Sequence, residues 1–284
     1  MKTFASALAI GLILAGCGPA VTPTPSMVAS PTPIEVRPTP TPLPAPPTPT
    51  PQPTTVEGPG VTDIMIEIPA GPFIMGSNIG DPDEGPAHEV DLPAFEIDKF
   101  EVTNADFAKF VEATDYVTDA EKAGQKIWRD YAAGKENHPV VKVTWNDAVA
   151  YCQWLGKRLP TEAEWEKAAR GTDERVFPWG NEWDPQKANV KATGLRGTAA
   201  VGSFGAGASP YGVEDIAGNV WEWTADWYQP YPGNTVEDPY YGERFKVTRG
   251  GAWFEEEPQV RAFNRNAADP NITAVDELGF RCAR

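Results

Sequence analysis

About half of the 30 prolines fall before residue 60 of the 284-residue chain, and that imbalance divides it. Proline fixes φ near the polyproline II value and lacks a backbone N–H. Repeats such as Thr39-Pro40-Thr41-Pro42 therefore suit neither a helix interior nor a central strand. They also lack the apolar side chains a core needs. Residues 18–60 are read as a disordered Pro/Thr-rich stalk, reaching on the order of 120 Å if fully extended at about 3.1 Å per residue. Residues 61–284 remain as one folded domain, long enough for a single large core.

The segment ahead of the stalk has a targeting composition. Lys2 supplies a positive start, and Phe4 to Leu14 form an apolar run too short to span a bilayer as a mature helix. It ends in Leu14-Ala15-Gly16-Cys17, which resembles the lipobox of bacterial lipoproteins. That resemblance implies a signal peptide over 1–17, lipid on Cys17, and a domain tethered to a membrane in the cell envelope, outside the cytoplasm. The alternative is an ordinary signal peptide with an incidental cysteine. The formal charge of −16 sits almost wholly on the domain, because the first 60 residues carry only Lys2, Arg37, Glu35 and Glu57. Such an acidic domain repels phosphate backbones, which excludes nucleic acid as a partner and leaves an unknown protein or small ligand.

Within the domain, Ile64–Ile68 and Phe73–Met75 read as short strands flanking a Pro69-Ala70-Gly71-Pro72 turn. Three helices carry readable caps. Thr103 opens Asn104 to Thr114, with Phe107, Phe110 and Val111 on one face. Thr144 opens a helix on which Ala148, Tyr151, Cys152 and Leu155 recur at i, i+3, i+4 and i+7, and Gly156 stops it. Thr161 and Glu164 form a capping box for a third helix that ends at Gly171. Beyond it the chain is rich in Gly, Pro, Asn and aromatics. The expected class is α+β, with short strands, few helices and much ordered loop.

A loop-rich domain needs fastenings beyond its core, and Asp215-Ile216-Ala217-Gly218-Asn219-Val220-Trp221-Glu222 is the best candidate. Two carboxylates with glycine between them let the backbone curl and offer carbonyl oxygens, a mixture that suits calcium. Spacing alone favours a plain acidic turn.

A series of motifs runs through the domain in order: Ile68-Pro69-Ala70-Gly71-Pro72-Phe73, Glu101-Val102-Thr103-Asn104, His138-Pro139-Val140-Val141, Arg158-Leu159-Pro160-Thr161-Glu162-Ala163-Glu164-Trp165, Phe177-Pro178-Trp179-Gly180, Gly218-Asn219-Val220-Trp221-Glu222-Trp223, Arg249-Gly250-Gly251-Ala252-Trp253 and Leu278-Gly279-Phe280-Arg281-Cys282. The series resembles the formylglycine-generating enzyme (sulfatase-modifying factor) family and covers nearly all of residues 61–284. The resemblance implies a C-type-lectin-like fold. It also implies an oxidase that uses copper, held by two cysteines, to convert a sulfatase cysteine in a Cys-x-Pro-x-Arg context to formylglycine.

Aligned on Gly250-Gly251, those two cysteine positions fall at Glu255 and Val260, and the motif serine is Ala252. A carboxylate and an aliphatic side chain do not replace two soft thiolates, so copper is not expected. The resemblance further implies a disulfide between Cys152 and Cys282, the alternative being two buried free thiols. It places calcium on Asp215, Gly218, Val220 and Glu222. It also marks Asn189, Val190 and Leu195 as a weakened second calcium site, whose carboxylate position is Thr193.

With only His88 and His138, the three-histidine iron site of the superfamily's sulfoxide-synthase branch cannot be built. Neither histidine has a recognisable serine partner for nucleophilic catalysis. Glu255-Glu256-Glu257 is read either as a solvated acidic loop or as a seat for a cation or basic ligand.

Two classes of function compete. One is a non-catalytic binding module that keeps the fold without the oxidase centre. The other is an oxidase, or another oxidoreductase, with an unusual site. Within the first class, the stretch carrying Arg261, Asn264, Arg265, Asn266 and Pro270 resembles the variable tail of retroelement-diversified ligand-binding proteins.

Overall fold

The three caps read from the sequence open three helices. The computed structural model describes residues 54–57, 62–272 and 275–284, all within a unit that begins at Pro47. Cys17 and residues 18–53 of the stalk lie outside the described residues. Strands β1 (Thr54–Glu57), β2 (Thr62–Ile68), β3 (Gly71–Met75), β4 (His88–Leu92) and β5 (Phe95–Asp98) come first. Helices α1 (Asn104–Thr114), α2 (Asp119–Lys122), α3 (Trp128–Ala132), α4 (Trp145–Trp154) and α5 (Glu162–Arg170) follow. A long, mostly irregular stretch then leads to β6 (Trp221–Trp227), β7 (Lys246–Arg249), β8 (Arg265–Ala268) and β9 (Leu278–Gly279).

Each predicted cap makes the expected bond. Thr103 Oγ1 accepts from Asp106 N at 3.1 Å at the start of α1. Thr144 and Asp147 exchange bonds of 3.1 and 2.9 Å at α4, and Thr161 and Glu164 bonds of 3.1 and 2.8 Å at α5. A neutral replacement of one such threonine costs about 1 kcal/mol. Helices α2 and α3 were not read from the sequence, because four or five residues are too few to display a period.

The strands form three sheets with orders β1-β2-β5, β3-β4 and β8-β7-β6-β9. All pairs are antiparallel except β6 with β9, which brings the C-terminal segment alongside Trp221 and Glu222. Strand β1 lies inside the stretch assigned to the stalk by proline content. Its proline-free, β-branched Thr54-Thr55-Val56 pairs with Met65 to Asp63 on β2, so the folded domain reaches back at least to Thr54.

The main core lies between α1, α4 and the last sheet. Phe107, fully buried, packs edge-on against Phe110 and Trp128 and stacks with Tyr151. Cys152 on α4 is joined by a disulfide to Cys282 in this same cluster, tying the helix to the chain's end. A second cluster packs the apolar face of α5, Trp165, Ala168 and Ala169, on Ile66 and Ile68 of β2 and Phe95 and Ile97 of β5.

Buried arginines hold the long loops. Arg281, with no exposed surface, forks onto both oxygens of Glu222 at 2.7 Å. It also donates at 3.1 Å to the carbonyls of Asp98, Lys99 and Glu214. Arg249 on β7 donates to Glu166 at 2.6 Å and to the Ala262 carbonyl at 2.8 Å. Arg265 on β8 forks onto Glu162 at 2.8 and 2.9 Å. Five fixed donors per guanidinium let one side chain satisfy a carboxylate and several loop carbonyls at once.

Candidate functional site

Two places carry the sequence's candidate residues, and they differ in kind. The first is the turn before β6. Gly218 has φ +77°, and a Cβ there would meet the Asn189 carbonyl oxygen at 2.4 Å, so only glycine allows this approach. The turn brings buried Asp215 and Glu222 into one electrostatic neighbourhood with Glu101 of the Glu101-Val102-Thr103-Asn104 motif. Burial, then Asp215 and Glu222, holds the Glu101 carboxyl well above the ordinary range. Burial pushes Asp215 up to about 6. Glu101 Oε2 accepts from Asn219 at 2.6 Å, while its Oε1 is buried and has no hydrogen-bond partner.

Three buried carboxyls therefore face one buried guanidinium, that of Arg281. The excess negative charge and the orphaned Glu101 oxygen fit a hard cation, which Asp215 would hold together with the Gly218 and Val220 carbonyls and with Glu222, whose two oxygens also accept from Arg281 and Trp165. Among the described residues no three Asp, Glu, His or Cys side chains converge as a metal cluster, so backbone oxygens are needed to complete any such set. Glu101 was missed as part of this neighbourhood because 114 positions of sequence, 215 minus 101, separate it from Asp215.

The Asn189, Val190 and Leu195 loop fits a second cation poorly. At the carboxylate position, the Thr193 hydroxyl donates to Val190 O at 2.8 Å and approaches Asn189 Oδ1 at 3.2 Å. Leu195 N donates back to that hydroxyl at 3.4 Å. A neutral hydroxyl thus ties together the oxygens a cation would use.

The second place is a cleft of about 370 Å³ at the Glu255 loop. Gly251 positions that loop: with φ +76°, a Cβ would lie 2.7 Å from Val260 Cγ1 and 2.8 Å from the Gln259 carbonyl oxygen. Val260 is fully buried in an apolar cluster with Phe177, Ala188, Val190 and Ala217. Glu255 lines the cleft beside Trp221. Burial pushes the Glu255 carboxyl up, and burial also pushes up Glu277 on the same cleft.

The other two members of the acidic triplet turn elsewhere. Glu256 pairs with Lys191 at 2.6 Å, and Glu257 forks onto Arg261 at 2.8 and 3.1 Å. The triplet is thus one cleft residue and two ion-pair partners. The copper implied by the resemblance does not fit: one cysteine position is a carboxylate, the other is a valine inside a core, and the domain's two cysteines form the disulfide.

The tail residues divide as well. Asn264 is buried and donates to Glu84 at 2.5 Å, and Arg265 is locked to Glu162. Neither is free to vary without loss of the fold, whereas exposed Asn266 lines the cleft. His138 Nδ1 lies 3.0 Å from Thr198 Oγ1, and the His88 ring packs 4.9 Å from that of Tyr231.

The profile of the Sulfatase-modifying factor enzyme 1-like domain family matches residues 51–284. A formylglycine-generating enzyme of Thermomonospora curvata is 37% identical, over 77% of this chain and 92% of its own. The inactive C-alpha-formylglycine-generating enzyme 2 of Mus musculus is also 37% identical, over 77% of this chain and 85% of its own. Among solved structures, PvdO from Pseudomonas aeruginosa aligns with a TM-score of 0.67 and 30% identity, covering 82% of this chain and 98% of its own. The loop-rich α+β fold is that of these relatives, and the chain belongs to the FGE-sulfatase (sulfatase-modifying factor enzyme 1-like) domain family.

Proposed function

We propose that the chain is a non-catalytic ligand- or protein-binding member of its family, anchored through lipid on Cys17 and displayed outside the cytoplasm. Overall likeness does not decide this, since relatives named as active and as inactive are equally identical to it. The observation that carries the reading is the pair of positions Glu255 and Val260. A thiolate pair is needed to hold Cu(I), and the stretch from Trp253 to Arg281 contains no cysteine, so no local shift of alignment supplies one. The chain's three cysteines are Cys17, Cys152 and Cys282. Cys152 and Cys282 are bonded to each other in the core, where sulfur is inert. Calcium on the Asp215 turn is assigned a structural role in the same reading.

The test is a Cu(I) competition titration of the mature, lipidated chain with a chromophoric chelator. The reading expects the chelator to keep the metal. One equivalent of copper withdrawn by the protein would favour the oxidase class instead. Mass spectrometry of the mature N-terminus checks the anchor, and an unlipidated Cys17 would remove that part of the proposal.

A further inference from the structure

We propose that the cleft beside Glu255 binds an organic cation, an ammonium or guanidinium group carried on an apolar stem. The proposal rests on the binding-module reading and names the chemistry of its ligand. The first observation is Thr248 on β7, between Trp223 of β6 and Asn266 of β8. Its side chain is on the cleft wall, the residue is 1% exposed, and its hydroxyl has no hydrogen-bond partner. A buried hydroxyl left unanswered costs about 1–3 kcal/mol, so a donor or acceptor arriving in the cleft has a ready partner.

The second observation is independent of the first. Glu255 and Glu277 come from separate segments to the same cleft, and among the described residues neither forms an ion pair. The nearest basic influence on Glu255 is Lys191, whose ammonium is engaged by Glu256 at 2.6 Å. Two half-buried carboxylates without a counter-charge ask for a cation.

The rest of the lining decides which cation. Trp221, Phe254 and Ile272 give apolar and aromatic walls, and Phe254 is 38% exposed. A bare metal ion prefers six or more oxygens, and among the described residues no three Asp, Glu, His or Cys side chains gather here as a metal cluster. An alkylammonium or guanidinium group matches both halves: its stem covers apolar surface and its head meets carboxylates and ring faces. The volume of about 370 Å³ lies in the range of small-ligand sites. The domain's net negative charge draws cations toward it at low salt. The same chemistry is offered by a free amine and by a lysine or arginine side chain of a peptide.

The experiment is calorimetric titration of the full mature chain with n-hexylamine, 1-hexanol, and blocked Ala-Lys-Ala and Ala-Arg-Ala peptides. Hexylamine or a basic peptide is expected to bind, and the neutral alcohol to bind at least about tenfold more weakly, because it lacks the charge the carboxylates answer. Tighter binding of the peptides than of hexylamine identifies a side chain as the source, and the reverse identifies a free amine. Glu255→Gln is expected to weaken binding about tenfold and to flatten its salt dependence. Thr248→Val is expected to weaken it by a smaller factor, with unchanged melting temperatures showing that both variants fold.

Equal binding of alcohol and amine, or unaltered affinity in both variants, overturns the proposal. So does failure of every cation to bind. In that last case an absence of copper uptake leaves the binding-module reading standing, whereas copper uptake removes both.

Discussion

The surroundings of α5 and the Glu255 cleft use the same residue types to opposite ends. Around α5, Glu166 is wholly buried and accepts from Gly76 N at 2.7 Å, Arg170 at 2.9 Å and Arg249 at 2.6 Å. Glu162 takes Arg265, Arg249 and the Tyr231 hydroxyl. In the cleft, Glu255 and Glu277 stand against aromatic walls with no ion pair among the described residues, and the Thr248 hydroxyl has no hydrogen-bond partner. A carboxylate surrounded by donors stabilises the fold and has little capacity left for a ligand. A carboxylate held in a half-dry cleft without its counter-ion contributes little to stability and remains available. Of the two positions that the family resemblance aligns with oxidase cysteines, Glu255 stands in this second region, whereas Val260 is buried in the neighbouring apolar cluster.

Breaking the first region has the largest expected effect. Glu166→Ala leaves Arg170 buried without its carboxylate and Arg249 with Glu162 alone at 3.2 Å, and the expected loss is about 3–5 kcal/mol, read by urea denaturation. A loss under about 1 kcal/mol would show that these arginines reach water or other partners.

The disulfide comes next. Its loop spans 130 residues, and the Cys152→Ala/Cys282→Ala double variant is expected to lose about 2–4 kcal/mol, since a long loop is freed in the unfolded chain. An unchanged denaturation midpoint would contradict a structural role.

Chelation tests the Asp215 turn, where charge is neither saturated nor open to solvent. Removing calcium is expected to lower stability by about 3 kcal/mol relative to calcium at a hundred times its dissociation constant. Elemental analysis should find one calcium per chain, because Thr193 closes the second loop. Two bound ions would show that a hydroxyl suffices there.

A pH effect of similar size or smaller is expected from Glu84, 2% exposed, whose carboxyl burial raises from 4.5 to about 7. The folded state holds this proton more tightly than the unfolded state does. Its contribution is therefore complete below about pH 4.5 and lost as pH rises toward about 7, by at most on the order of 3 kcal/mol. Asp81 and Asp83 push the same way, while bonds from Asn264 and the Asp81 backbone oppose. Glu84→Gln should flatten that part of the stability–pH curve, and an unaltered slope would assign it to other groups.

The smallest effect belongs to the cleft. Glu255→Gln is expected to change stability by no more than about 0.5 kcal/mol, in contrast to Glu166→Ala. A large loss would place Glu255 among the structural carboxylates and erase the difference between the regions.

What was legible in the sequence follows from the range of each interaction. The caps at Thr103, Thr144 and Thr161 are local, with partner and helix within four residues, and all three were read correctly. The loop-rich character followed from glycine and proline content. The acidic triplet was legible as a cluster but not as its separate fates, because Lys191 and Arg261, which take Glu256 and Glu257, are placed by the fold. The arginine forks were invisible for the same reason: Arg281 meets Glu222, 59 positions away, only once β9 lies beside β6. Strand β1 was missed because composition averaged over 43 residues of stalk conceals a four-residue run without proline.

The account's central claim is that the family fold is kept here without the oxidase centre. The most direct measurement incubates the purified mature chain with copper, oxygen and a Cys-x-Pro-x-Arg peptide and follows the peptide by mass spectrometry. Unmodified cysteine at the end of the reaction is the predicted result. Copper-dependent conversion to formylglycine at an ordinary enzymatic rate, on the order of one per second or faster, would contradict it.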